Sequence, residues 1–175
     1  MTMIRRFPLL LVLAAAGCGD AAPGPESAPS TQAGASYALE DFQSITLERT
    51  GCYGFCPTYQ VTIHADGLVV YEGYEHVGVS GEKRGQVDEA GLRELLGLCE
   101  SIDFWTLAER YEYKTDAEGN QITITDQPWR YTTLRVGGVE KRVENYFGGP
   151  ELLRKLEDRI DALSGAAVWK QREQG

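Results

Sequence analysis

Two cysteines four positions apart, Cys52 and Cys56 in the string GCYGFCPTY (residues 51–59), form the densest chemically active pattern in this 175-residue chain. A C-x3-C spacing admits three chemistries. A disulfide needs Cα atoms about 4.4–6.8 Å apart, whereas four extended residues would separate them by ~13 Å, so the chain must turn through Tyr53, Gly54 and Phe55. Closing so short a loop contributes ~2 kcal/mol in the chain-entropy model, and its main effect is to fix one corner of the fold. A thiol-redox pair normally shows C-x-x-C at a helix N-terminus; this spacing has one residue more and leads through Pro57 into a strand. A zinc site would recruit Cys52 and Cys56 with His64 and His76, the only histidines in the chain, but His64 projects from the more polar face of its predicted strand. The structural staple is therefore the expected role of the pair, with redox or metal-binding use as the alternative.

The remaining candidates read as structure. Cys99 completes the apolar stripe of a predicted helix and reads as a buried, unpaired thiol, although pairing with Cys52 or Cys56 stays open. Asp116, Glu118, Asn120 and Asp126 make an acidic loop, but Gly119 is misplaced for a twelve-residue calcium loop. Ser80, in GVSG, lacks the spacing of a nucleophile elbow. Glu140 and Glu144 fall on alternate strand positions as part of a solvent-facing row. No catalytic residue, metal ligand set or cofactor is assigned. The aromatics Tyr53, Phe55, Tyr71, Tyr74, Tyr111, Tyr113, Trp129 and Tyr131 gather in loops and strand ends, where exposed members would form a contact surface.

The first residues bear on compartment. Arg5 and Arg6 precede an apolar run over residues 7–16, about half of what a bilayer-spanning helix needs, so the run reads as an export signal. It closes on LAAAGC (residues 13–18), which resembles the lipobox of bacterial lipoproteins, with leucine at Leu13 and Ala15 three positions before the cysteine. That resemblance implies removal of residues 1–17 and lipidation of Cys18, giving a protein attached by lipid to a membrane of the bacterial cell envelope and facing the periplasm or exterior. In that oxidising compartment, Cys52 and Cys56 are expected to pair. Losing Arg5 and Arg6 from 17 basic residues leaves 15 against 26 acidic ones, a net charge of −11. Such a field repels nucleic acid and favours basic partners.

Residues 18–40 are rich in Ala, Gly, Pro and Ser without hydrophobic period, and read as a tether. A single domain is expected over residues 41–170, with a polar tail at 171–175. Alternation predicts strands at residues 45–50 and 58–64. Asp66 and Gly67 then suggest a two-residue turn pairing Ile63 with Val70 and Tyr59 with Tyr74. A glycine-rich link follows at residues 78–85. Asp88 caps a helix carrying Leu92, Leu95, Leu96 and Cys99. Further strands are expected at residues 122–125, 131–136 and 139–146, the last two flanking Gly137 and Gly138, with Val136 beside Val139 and Arg135 beside Glu140. Pro150 opens a second helix bearing Leu153, Leu156, Ile160 and Leu163, and Gly165 ends it. The expected fold is α+β: two β-β-β-α halves forming a mainly antiparallel sheet, with two helices on one face.

Gly51, Cys52, Gly54, Cys56, Pro57 and Tyr59 spell GC-x-G-x-CP-x-Y, and Leu153, Leu156, Glu157, Ile160 and Asp161 spell L-x-x-L-E-x-x-I-D. With the intervening D-G hairpin and the YFGGP stretch at residues 146–150, these motifs resemble a family of bacterial secreted proteins and lipoproteins classed as a domain of unknown function, over about residues 45–169. The resemblance implies one exported domain and carries no activity. Charge and aromatics together point to a non-catalytic binding module for a basic protein or a cell-wall component.

Overall fold

The computed structural model describes residues 37–171. Five long strands and one shorter one carry the main sheet: β1 (Phe42–Arg49), β2 (Thr58–His64), β3 (Leu68–Glu75), β4 (Gly81–Gln86), β8 (Arg130–Val136) and β9 (Val139–Asn145). A two-residue strand, β5 (Arg110–Tyr111), completes it, giving seven strands in the order β4-β3-β2-β1-β8-β9-β5. All neighbours are antiparallel except β5, which runs parallel to β9. The main helices α1 (Glu89–Ser101) and α2 (Glu151–Ser164) pack on one face, and α3 (Ala166–Trp169) follows α2 directly. Among the described residues no helix is long and apolar enough to cross a membrane.

The α+β class follows from side-chain parity. Ile45 and Leu47 on β1, Tyr59, Val61 and Ile63 on β2, and Val69 and Tyr71 on β3 all point to the helix side and are buried. They meet Leu92, Leu95, Leu96 and Cys99 of α1 and Leu153, Leu156 and Ile160 of α2. Asp88 caps α1 by accepting a hydrogen bond from the Gly91 N–H at 2.8 Å. Gly165, at φ 83°, ends α2, while Pro150 stands one position before its first helical residue.

Several local expectations are corrected. The β2–β3 connection uses three residues, not two: Gly67 alone has positive φ, its N–H donates to the His64 carbonyl at 2.9 Å, and the Asp66 carboxylate accepts from the Leu68 N–H. Ile63 therefore faces Val69 and Tyr59 faces Gly73, with a bulge between Thr58 and Tyr59. Burial of Val69 and Tyr71 fixes this register, because a one-residue slip would turn both to solvent. The link expected at residues 78–85 contains β4, an edge strand paired along its own full length with residues 68–73 of β3. The strand expected at residues 122–125 shrinks to β7 (Gln121–Ile122), which pairs with β6 (Lys114–Thr115) in a ribbon separate from the main sheet. The first half thus supplies four strands to that sheet, and the second half two long ones plus β5. By contrast, Gly137 and Gly138 both have positive φ and close the β8–β9 hairpin with Val136 opposite Val139, as expected.

The folded chain also reaches back into the stretch expected to be tether. Tyr37 is buried, stacks on Trp105 with ring centroids 6.2 Å apart, and donates its N–H to Glu100; Leu39–Asp41 form one 3-10 turn. The signal segment, Cys18 and the rest of the expected tether lie outside the described residues, as does most of the polar tail at 171–175.

Candidate functional site

One row of the sheet carries charge where the next inward row, Tyr71, Val61, Leu47, Thr132 and Val143, carries none. Gly73, Tyr59, Arg49, Arg130 and Asn145 are successive cross-strand partners on β3, β2, β1, β8 and β9, all on the helix side. Arg49 and Arg130 stand directly opposite each other, a like-charge pair that opposes sheet formation unless compensated. Compensation comes from α2, whose Glu157 and Asp161, four residues apart on one face, are both buried. Asp161 accepts from Arg49 at 2.9 Å, from the Tyr59 hydroxyl at 2.7 Å and from Lys170 at 2.6 Å. Glu157 accepts from the Asn145 amide at 2.9 Å, and its second oxygen lies 3.0 Å from the Arg130 Nε.

Burial governs the protonation of this row. Burial pushes the Glu157 carboxyl above its ordinary range, outweighing the pull of Arg130, Asn145 and Arg49. Burial also drives the Tyr59 phenol far up; Arg49 opposes this and Asp161 adds to it. Desolvation would lower the Arg49 guanidinium, yet Asp161 and its neighbours hold it above its usual value. The network pins α2 across the ends of β2, β1, β8 and β9, and through Arg49 it fixes the point where the next loop begins.

That loop is the cysteine segment. Its base is tied to the chain before β8: the Thr50 N–H donates to the Trp129 carbonyl at 3.0 Å, and the Trp129 N–H returns a bond to the Thr50 hydroxyl at 3.1 Å. Cys52 and Cys56 stand at disulfide distance, Cα to Cα 5.6 Å, and the Gly54 N–H folds back onto the Cys52 carbonyl at 2.8 Å. This tight closure turns Tyr53 and Phe55 outward, 93% and 82% exposed. The profile of a family described as "Domain of unknown function (DUF6438)" matches residues 43–164, from β1 to the last residue of α2. The chain belongs to the DUF6438 family. No curated protein matches it.

Within the DUF6438 domain the other candidate residues are dispersed. His64 ends β2 opposite Ser44, at the far end of the sheet from the cysteines, so the zinc quartet of Cys52, Cys56, His64 and His76 is not assembled. His76 lies instead against Phe55, ring centroids 5.2 Å apart in an edge contact. Pro57 leads from Cys56 into β2 with no helix N-terminus to stabilise a thiolate. Cys99 is buried in α1, and burial pushes its thiol up to about 12. The acidic loop turns its carboxylate inward: Asp116 accepts from the Glu118 and Asn120 N–H groups and from the Asn120 amide, closing the β6–β7 turn. Ser80 is exposed immediately before β4.

The aromatics divide into two sets. Tyr71 is fully buried, and burial pushes its phenol up to about 12, whereas Tyr53, Phe55, Tyr74 and Tyr113 are exposed. Trp129 stacks on Tyr131 and leans on Tyr146, with the Arg110 and Arg142 guanidiniums 4.2 and 4.1 Å above the Trp129 and Tyr131 rings. Sequence reading did not single out Arg49 or Arg130, and it met Glu157 and Asp161 only as part of a motif. The missed signal was parity: Arg49 continues the inward positions of Ile45 and Leu47, and Glu157 and Asp161 each follow a core residue of α2, Leu156 and Ile160.

Proposed function

We propose that this DUF6438 protein is a non-catalytic binding module of the bacterial cell envelope, held to a membrane by lipid on Cys18 and engaging a protein or cell-wall component through the 52–56 loop. The observation that carries the reading is the near-complete exposure of Tyr53 and Phe55 on a loop closed at both ends. Exposed aromatic rings are effective anchors, having large apolar area and few rotatable bonds, and a loop held before binding loses less entropy on docking. A cysteine pair at disulfide distance suits an oxidising compartment, and the LAAAGC string supplies the address.

Intact mass of the protein purified from its native membrane tests the anchoring half: loss of residues 1–17 together with a mass gain equal to acylation of Cys18 is expected, and a product that still begins at Met1 overturns it. For the binding half, Tyr53→Ser combined with Phe55→Ser should abolish retention on native envelope fractions while leaving the melting temperature unchanged. Undiminished retention of the folded double variant would refute the role of the loop.

A further inference from the structure

The cysteine loop hangs from a base that is fixed without it. The β1–β2 ladder ends with Arg49 opposite Tyr59, and both side chains are locked onto Asp161, at 2.9 and 2.7 Å. Thr50 adds its two bonds to Trp129. Beyond these ties residues 51–57 are all exposed or half-buried, and none of them belongs to the hydrophobic core. What closes the loop is internal to it: the Cys52–Cys56 pair, 5.6 Å between Cα atoms, and the Gly54 N–H on the Cys52 carbonyl. The bridge therefore governs the shape of the loop and little else in the fold.

The sulfurs also lie within reach of a reagent. Both cysteines are half-buried at the surface, and Gly54 carries no side chain where a Cβ would stand 3.9 Å from the Cys52 Sγ. Exposed disulfides are the labile ones, whereas structural ones resist reduction. Because Pro57 leads into a strand, the pair lacks the helix N-terminus of a catalytic thiol, and it serves as the target of exchange.

We infer that the Cys52–Cys56 bridge is a redox switch on the binding loop: bridged, it presents Tyr53 and Phe55 to a partner, and opened by a dithiol of the same compartment, it loses that presentation. The inference rests on the binding-module reading above and supplies its regulation. In the opening step a thiolate of the dithiol attacks one sulfur of the bridge, forming a mixed disulfide and releasing the other cysteine as a thiolate that takes up a proton. The second thiol of the reductant then displaces the first cysteine. Cys52 and Cys56 together gain two electrons and two protons, and the dithiol leaves as its own disulfide. Once open, residues 51–57 are held at Thr50 and Thr58, and docking must order the loop again, which costs about tenfold in affinity.

The test treats protein purified from its native membrane with excess dithiothreitol at neutral pH without denaturant, then alkylates it and maps the label by peptide mass. Retention on native envelope fractions is measured before reduction, after it, and after reoxidation with oxidised glutathione. Label is expected on Cys52 and Cys56 and not on buried Cys99, with the melting temperature lowered by no more than about 10 °C, since so short a ring contributes little chain entropy. Retention should fall about tenfold on reduction and return on reoxidation. Cys52→Ser combined with Cys56→Ser should be retained weakly whether or not the reductant is present. A bridge that opens only as Cys99 is labelled, or a larger fall in melting temperature, makes it a staple of the fold and overturns the switch. Undiminished retention of the reduced protein or of the folded double variant overturns it too, and in each of these cases the binding role stands. No retention of the bridged protein overturns the binding role and the switch with it.

Discussion

Arg49 and Arg130 face each other across adjacent strands inside the protein because two carboxylates from one helix lie above them, so each ion holds its place through the others. Removing a member leaves a buried charge unpaired, which costs more than the pair contributes. Asp161→Ala leaves Arg49 with only the longer 3.4 Å contact to Asp158 and strips Lys170 and the Tyr59 hydroxyl of their acceptor, and should lower stability by ~3–5 kcal/mol, read as a fall in the urea midpoint at constant slope. Asp161→Asn keeps an acceptor for Tyr59 and should cost less. Glu157 behaves differently with pH. Because burial raises its carboxyl above the ordinary 4.5, folding favours the protonated form. Its contribution is complete below that ordinary value and is lost as pH rises through the folded value. Glu157→Gln lacks this titration, so wild type should lose stability relative to the variant as pH rises above about 4.5, measured as the difference in melting temperature. The Cys99 thiol, raised to about 12, should resist alkylation in the native protein near neutral pH and react once the protein is unfolded. None of this row was evident from composition, since the same arginines and glutamates could serve a solvated face; only their parity within β1 and α2 marks them as inward.

At the scale of elements, turns decide register, and two glycines with positive φ separate conformational cost from steric cost. A Cβ at Gly67 would lie 2.1 Å from the Val87 carbonyl oxygen, whereas one at Gly137 meets nothing within 4 Å. Gly137→Ala should therefore cost only the left-handed backbone strain, ~1 kcal/mol. Gly67→Ala must also push the β4–α1 connection away and should cost at least about twice that, a contrast that thermal melts of the two variants resolve. The same physics explains which elements were legible. The sheet interior, both helices, the Asp88 cap and the Gly137–Gly138 turn declare themselves by period and by turn chemistry. β4, GEKRGQ, does not: as an edge strand its outer side faces water, and its charges and glycines give no alternation while protecting the edge from further pairing. The β2–β3 register was misread because Asp-Gly serves two-residue and three-residue turns alike, and only the burial of Val69 and Tyr71 chooses between them. At the cysteine loop the sequence did announce the turn, since C-x3-C cannot close without one, and proline after the second cysteine sends the chain straight into β2.

For the whole molecule, the boundary of the folded unit lies before the first strand. Composition places the start near Phe42, where alternation begins, because a lone tyrosine in a polar, alanine-rich stretch carries no period. In three dimensions Tyr37 closes the end of the core left open between the C-terminal turn of α1 and the 104–106 turn: its ring stacks on Trp105, its N–H reaches Glu100, and burial pushes its phenol up to about 12. A chain beginning at residue 42 would leave Trp105 and Phe104 exposed to water along that edge and would lose the 3-10 turn that sets the direction of β1. Burying one aromatic ring contributes ~1.5–3 kcal/mol. In a domain of this size each kcal/mol moves the melting temperature by roughly 3–5 °C. A chain starting at residue 42 should therefore melt about 5–15 °C below one starting at residue 37, and Tyr37→Ala in the full-length protein should reproduce most of that difference. Equal melting temperatures for the two chains would mean that the core closes without Tyr37, and that the folded unit begins at β1 as the hydrophobic pattern alone suggests.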